Sequence, residues 1–285
     1  MTLSERPAKV REPARAAVVA DVAGRARAAA ARERARVYGG VVLLGAALLL
    51  IWEYPIGLVI ERRYVSKPSE VAVRLADLAF GGGLWNHITT TMGEAGLGYL
   101  IGVAVGLVAA LLLVAVPLLD EITGPFLAAF YSIPKIALAP MFIMWFGLGA
   151  LPKVLLAALM VFLVVLVNTI AGIRGISPGL IEVSRVLGAR GPRLVRAVVL
   201  PGAAPAVLAS VRLTFSRAMV GAILGEFIAA TQGLGFLIVR SSRQFETATM
   251  FAGIVVVAVL VLIVNGVIRL LEAWLVPWSK AEVHG

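Results

Sequence analysis

Apolar positions in this chain do not alternate with polar ones; they run in long blocks. Six stand out, at roughly 37 to 60, 88 to 116, 122 to 147, 152 to 173, 203 to 230 and 250 to 276, and the stretches between them gather charge, glycine and proline. Each block reaches the ~20 residues that a helix needs to cross the ~30 Å hydrocarbon core of a bilayer. Backbone in hydrocarbon must satisfy its own hydrogen bonds, so each block is read as a spanning helix. Glu53 and Pro55 interrupt the first near one end, where Trp52 and Tyr54 suit the interface. In the third, Pro134 and Pro140 flank Lys135 and remove backbone donors, which predicts an irregular helix shielded by protein or water.

Composition points the same way, with 60% hydrophobic residues, 15% charged and a mean hydropathy of +0.97. These values lie far from those of soluble domains and imply an all-α, multi-pass membrane protein of about six helices. The absence of cysteine excludes disulfides, thiolate metal sites and thiol catalysis. The two histidines, His87 and His284, have no companions for metal binding or catalysis, so an intramembrane enzyme fits poorly.

Charge sets the expected orientation. The first 37 residues hold nine Arg or Lys against four acids, and the 174 to 200 loop adds five arginines. Positive loops stay in the cytoplasm, so both termini and this loop are expected there. The resulting organisation is a basic tail over 1–36, disordered or loosely helical, a membrane domain over 37–280 and a short C-terminal tail over 281–285. A regulatory role for the basic tail and simple contact with anionic lipid are both open.

The loop has its own pattern, EVSRVLGARGPRLVRAVVLP over residues 182 to 201. Ser177 and Pro178 suit a helix start, Gly188 a helix end, and Gly191-Pro192 a restart that Pro201 terminates. Two short helices at an angle are expected, kept out of hydrocarbon by Arg185, Arg190, Arg193 and Arg196. Ile181, Leu187, Leu194 and Val198 give them an apolar side for a protein surface. An ordinary amphipathic loop held by positive charge accounts for the same residues.

Spacing favours the former. Glu182-Val183-Ser184, three residues, Gly188, nine residues and Val198-Val199-Leu200-Pro201 resemble the EAA loop of bacterial ABC importer permeases. Val183 and Ser184 stand where that pattern has alanines, and Val198 where it has isoleucine. Ser132-Ile133-Pro134-Lys135-Ile136-Ala137-Leu138-Ala139-Pro140, Trp145-Phe146-Gly147-Leu148-Gly149, Val211-Arg212-Leu213, Gly225-Glu226 and Gly233-Leu234-Gly235-Phe236 resemble permeases of the nitrate, sulfonate and taurine type, with likeness from about residue 45 to 276.

The resemblance implies a type I ABC importer-like fold in the bacterial cytoplasmic membrane. It assigns the 174–201 loop, with Glu182, Ser184, Arg185, Gly188, Arg190, Arg193 and Pro201, to coupling with a dimer of ABC ATPase subunits. It also implies an extracytoplasmic substrate-binding protein, a second permease copy or homologue, and no nucleic acid. No cofactor is expected in this chain: it lacks a G-x-x-x-x-G-K-[ST] phosphate loop, so ATP and Mg belong to the partner. The solute implied is a small anion such as a sulfonate or nitrate.

Charged and polar residues inside the blocks are the candidates for a substrate path: Lys135, Asn168, Arg212, Arg217 and Glu226. Each has two readings. Lys135 lines a pathway or reaches a backbone carbonyl, and Asn168 lines it or bonds between helices. Arg212 and Arg217 line it or bond to carbonyls and snorkel. Arg212 and Glu226 project in similar directions but lie too far apart along the axis to pair directly. Intramembrane charge also allows a secondary transporter or channel without an ATPase, although no repeated halves are visible. Gly98, Gly102 and Gly106, every fourth residue, are read as a close helix contact.

Overall fold

The computed structural model describes residues 11–54, 61 and 64–275. The chain forms two units, Met1–Arg62 and Arg63–Gly285. In the first, helix α1 (Arg11–Glu53) contains the apolar span Ala35–Glu53. It takes in most of the basic arm, whose alanine-rich sequence favours helix. Residues 55–60 of the first block, and 281–285, lie outside the described residues.

The second unit is built from α2 (Pro68–Phe80), α3 (Leu84–Ala115), α4 (Pro117–Ser132), a 3-10 turn (Lys135–Leu138), α5 (Ala139–Phe146) and α6 (Ala150–Arg174). It continues with α7 (Pro178–Val186), α8 (Pro192–Leu194), a π turn (Val195–Val199), α9 (Leu200–Ala229), α10 (Leu234–Arg243) and α11 (Thr247–Leu275). No strand occurs among the described residues. With α1, five of the described helices are long and apolar enough to cross a membrane, or six if one sharply bent pair is counted as a single span.

That broken pair is the third block. Its two arms, Leu118–Ser132 and Lys135–Phe146, meet at 89° instead of forming one irregular helix. Ile133 and Pro134 are extended at the elbow, as expected of a residue before proline and of proline itself. Pro125 lies within the first arm without ending it.

Helix α6 is the hub. It packs most extensively on α3 and α9, and small residues make that approach possible. On α3, a Cβ added to Gly98 would meet Val154 O at 2.8 Å, and one on Gly102 would meet Ala158 O at 2.5 Å and Val161 Cβ at 2.7 Å. Gly106 faces Val165 in the same way. On α9, Gly221 sits against Ala157 and Gly225 against Lys153, so α6 is clasped from two sides by glycine stripes. Ala95, Ala157, Val161, Val165, Phe215, Ala218, Met219 and Ala222 fill the centre.

One sequence expectation is corrected. Pro201 does not end a helix; it occupies the first turn of α9, which is continuous with the helical run from Pro192. Proline has no N–H for the ladder, and the chain compensates one residue earlier: Leu200 donates its N–H to Val195 O, five residues back, in the π turn. The second arm of the loop therefore extends α9 and is not a separate short helix.

Candidate functional site

The 174–201 loop is a hairpin. Helix α6 ends at Arg174, Gly175 caps it through an N–H bond to Ala171 O, and the chain re-enters helix at Pro178 after Ser177. Ser177 holds the N-cap position without a side-chain cap bond. The end of α7 is set by Gly188, at φ 89°. Its N–H bonds Arg185 O at 3.0 Å, and Ala189 N–H reaches back to Ser184 O at 2.9 Å, a glycine-terminated C-cap that a Cβ would strain. Gly191 is also left-handed, at φ 51°.

No residue of α7 is buried. Ile181 packs inward against Ile173, Ile176 and Ala203, whereas Leu180, Val183, Val186 and Leu187 form an exposed apolar stripe at helical spacing. Val186 and Leu187 are 83% and 81% exposed. Glu182, Arg185, Arg190 and Arg193 rim this surface and are exposed; Ser184 turns back to donate to Leu180 O. Pro201 lies at the foot of the hairpin, in α9.

A second polar constellation lies at the opposite end of α9. Glu226 is 2% exposed. One carboxylate oxygen accepts from Thr91 Oγ1 at 2.6 Å and the other from Gly235 N–H at 2.5 Å. Leu234 N–H donates to Thr91 Oγ1 at 2.7 Å, and Gly233 N–H to His87 Nδ1 at 3.0 Å. Three successive backbone donors at the start of α10 are thus matched to side chains of α3 and α9, where intrahelical partners are missing. Beside them Lys153 of α6 pairs with Glu94 of α3, both buried. Sequence reading singled out Glu226 but missed His87, Thr91, Glu94 and Lys153 as its neighbourhood.

The remaining path candidates separate into two groups. Arg212 pairs with Glu272 of α11 at 3.1 Å, and Asn168 Nδ2 donates to Ser210 Oγ at 3.4 Å between α6 and α9. Lys135 and Arg217, by contrast, are brought together. They line one small cavity of about 170 Å³ with Tyr131, Met160, Leu163 and Val164. Lys135 Nζ donates to Tyr131 O and stands 4.5 Å from the Tyr131 ring centre. Neither cation has an acidic partner among the described residues, nor do those residues offer a group of three ligands for a metal ion.

A glycine-clasped helical bundle with an exposed basic hairpin now has a counterpart. Residues 102–277 match the family described as binding-protein-dependent transport system inner membrane component. The chain belongs to that family. This permease is 32% identical over 241 residues to SsuC of Bacillus subtilis, named as an aliphatic sulfonates transport permease protein, covering 84% of this chain and 87% of that one. It is 35% identical over 235 residues to the riboflavin transport system permease protein RibX of Chloroflexus aurantiacus, covering 82% and 88%. To the taurine transport system permease protein TauC of Escherichia coli it is 28% identical over 239 residues, covering 82% and 87%.

The fold agrees with the inward-facing MetNI methionine ABC transporter, at a TM-score of 0.55 and 22% identity over 71% of this chain and 94% of that one. The permease is therefore the transmembrane subunit of a binding-protein-dependent ABC importer, and in this family ATP hydrolysis belongs to a separate chain. Membership decides against a free-standing secondary transporter or channel.

Proposed function

We propose that this permease forms half of the pathway for a small anion, a sulfonate, nitrate or related organic anion, and is driven by an ATPase dimer docked on the α7 hairpin. The exposed stripe of Leu180, Val183, Val186 and Leu187 carries the docking reading. An apolar stripe ringed by Glu182, Arg185, Arg190 and Arg193 suits a groove on a cytoplasmic protein, not hydrocarbon. Positive charge on the hairpin and on the N-terminal arm supports a cytoplasmic position for both, with α10 and the loops flanking it outside.

A second copy, or a homologue, would complete the pathway. Support comes from α9, where Leu213, Arg217, Val220 and Ile228 form one exposed stripe. An arginine on that stripe, midway along a span, is too costly to face lipid and calls for protein or water opposite it. The solute is argued from charge, because the relatives' printed names range from aliphatic sulfonates and taurine to riboflavin and formylaminopyrimidine. ATP and Mg bind the partner chain, and an external binding protein delivers the solute.

Co-expression with the ATPase tests the docking. Glu182→Lys should leave the permease inserted and monodisperse while ATPase recovery on a tagged permease falls about tenfold, the loss of roughly 1.4 kcal/mol. Unchanged recovery together with full uptake in liposomes would remove the hairpin from the mechanism.

A further inference from the structure

The charges inside the spans do not balance evenly. Lys153 is matched to Glu94 and Arg212 to Glu272, each on a neighbouring helix. Lys135 and Arg217 have no acidic partner among the described residues, yet the fold brings them from the elbow and from α9 to one cavity whose other lining residues are Tyr131, Met160, Leu163 and Val164. Two like charges lining one small cavity repel each other and favour a counter-charge between them.

Lys135 is only partly satisfied by its known contacts. Its bond to Tyr131 O, at the free carbonyl end of α4, uses one of three ammonium donors and leaves the charge uncancelled. Contact with the Tyr131 ring adds attraction without neutralising it. Arg217 keeps five guanidinium N–H groups with no acceptor assigned to them among the described residues, a fork suited to two oxygens of one oxyanion.

A position in the middle of a long span favours an anion in the pathway over a lipid head group as counter-ion. Arg217 lies twelve residues from one end of α9 and seventeen from the other, about 18 Å and about 26 Å at 1.5 Å per residue. Half the hydrocarbon core is about 15 Å. Resting on the importer reading above, we infer that Lys135 and Arg217 form a single binding site for a small oxyanion, the sulfonate or carboxylate group of the transported solute, at the middle of the pathway. Glu226, Arg212 and Asn168 belong to the scaffold around it and do not touch the solute.

The test uses the full-length permease with its ATPase, purified in neutral detergent. Methanesulfonate is the probe, dimethyl sulfone its neutral isostere, and sodium chloride the control for ionic strength. Methanesulfonate should raise Tm by about 2–4 °C where dimethyl sulfone and chloride do not. Lys135→Gln/Arg217→Gln should abolish the shift, and Lys135→Arg/Arg217→Lys should keep most of it. Should the double Gln protein fail to fold, Lys135→Gln alone, at a partly exposed side chain, should weaken probe affinity about tenfold. A shift of equal size with dimethyl sulfone, or one preserved in the Gln variants, overturns the site. In liposomes the Gln variants should lose uptake of the anion while still recovering the ATPase. ATP-independent uptake by the parent protein would instead overturn the importer reading, leaving the binding result to stand or fall by itself.

Discussion

Helices α6 and α7 are neighbours in sequence and opposites in construction. Along α6, Leu156, Ala157, Val161, Leu163, Val165 and Leu166 are almost wholly buried, clasped between glycine stripes of α3 and α9. Along α7 nothing is buried, and large apolar side chains point outward. The first helix is completed by its own chain. The second is not covered by its own chain, and under the proposed docking the ATPase would complete its surface. Substitutions in the two should therefore fail differently: in α6 and its clasp by loss of the fold, in the hairpin by loss of a partner.

The sharpest way to break that contrast is Gly102→Leu. The new side chain would have to displace Ala158 O and Val161, both parts of the hub, at a cost of about 3 kcal/mol or more. No folded permease should elute in size-exclusion chromatography, and normal elution would mean that α3 and α6 are less closely apposed than described. Glu226→Ala comes next. It leaves Thr91 and Gly235 N–H without their buried acceptor, and should lower stability by about 2–3 kcal/mol, read as a fall in Tm.

In the hairpin, a Cβ on Gly188 meets no neighbouring atom, so the main penalty of Gly188→Val is a left-handed φ of 89°, about 1–2 kcal/mol at the cap. Yield should hold while ATPase recovery drops, and Gly188→Asn should restore much of it because asparagine tolerates that conformation. Equal loss of yield in Gly102→Leu and Gly188→Val would erase the distinction. Smallest of all is deletion of residues 2–30, which removes charge but no span; assembly and uptake within about 20% of the parent are expected. Abolished uptake at normal expression would give the basic arm a transport role.

What the sequence disclosed depended on how local the determinant was. Gly98, Gly102 and Gly106 announce their contact by spacing alone, and Gly188 announces its turn because few other residues take that backbone. Pro134 marked the break in the third block but not its 89° angle, which depends on what the two arms pack against. Pro201 looked like a terminator because the π turn that accommodates it has no sequence signature. Ion pairs were least legible. Arg212 and Glu272 are 60 residues apart, and Lys153 and Glu94 meet only because α3 and α6 cross in one register. The convergence of Lys135 and Arg217 depends on the elbow in the same way.

The foot of the hairpin has a mechanical consequence. Force entering α7 can reach the bundle by two routes of unequal stiffness. One runs back through Ile176, 8% exposed, into α6, whose interior lacks proline and whose flank is wedged by glycine contacts. The other runs through Val195–Val199, Pro201 and Pro205, where a π turn and two prolines interrupt the regular ladder within about 16 Å of helix. The first route acts as a pushrod and the second as a universal joint. A swing of about 20° in that joint moves a point about 15 Å away, some ten helical residues, by about 5 Å. A hairpin seated on the proposed ATPase would then tilt about this joint, while the far half of α9, wedged against α6 at Gly221 and Gly225 and held at Glu226, keeps its place.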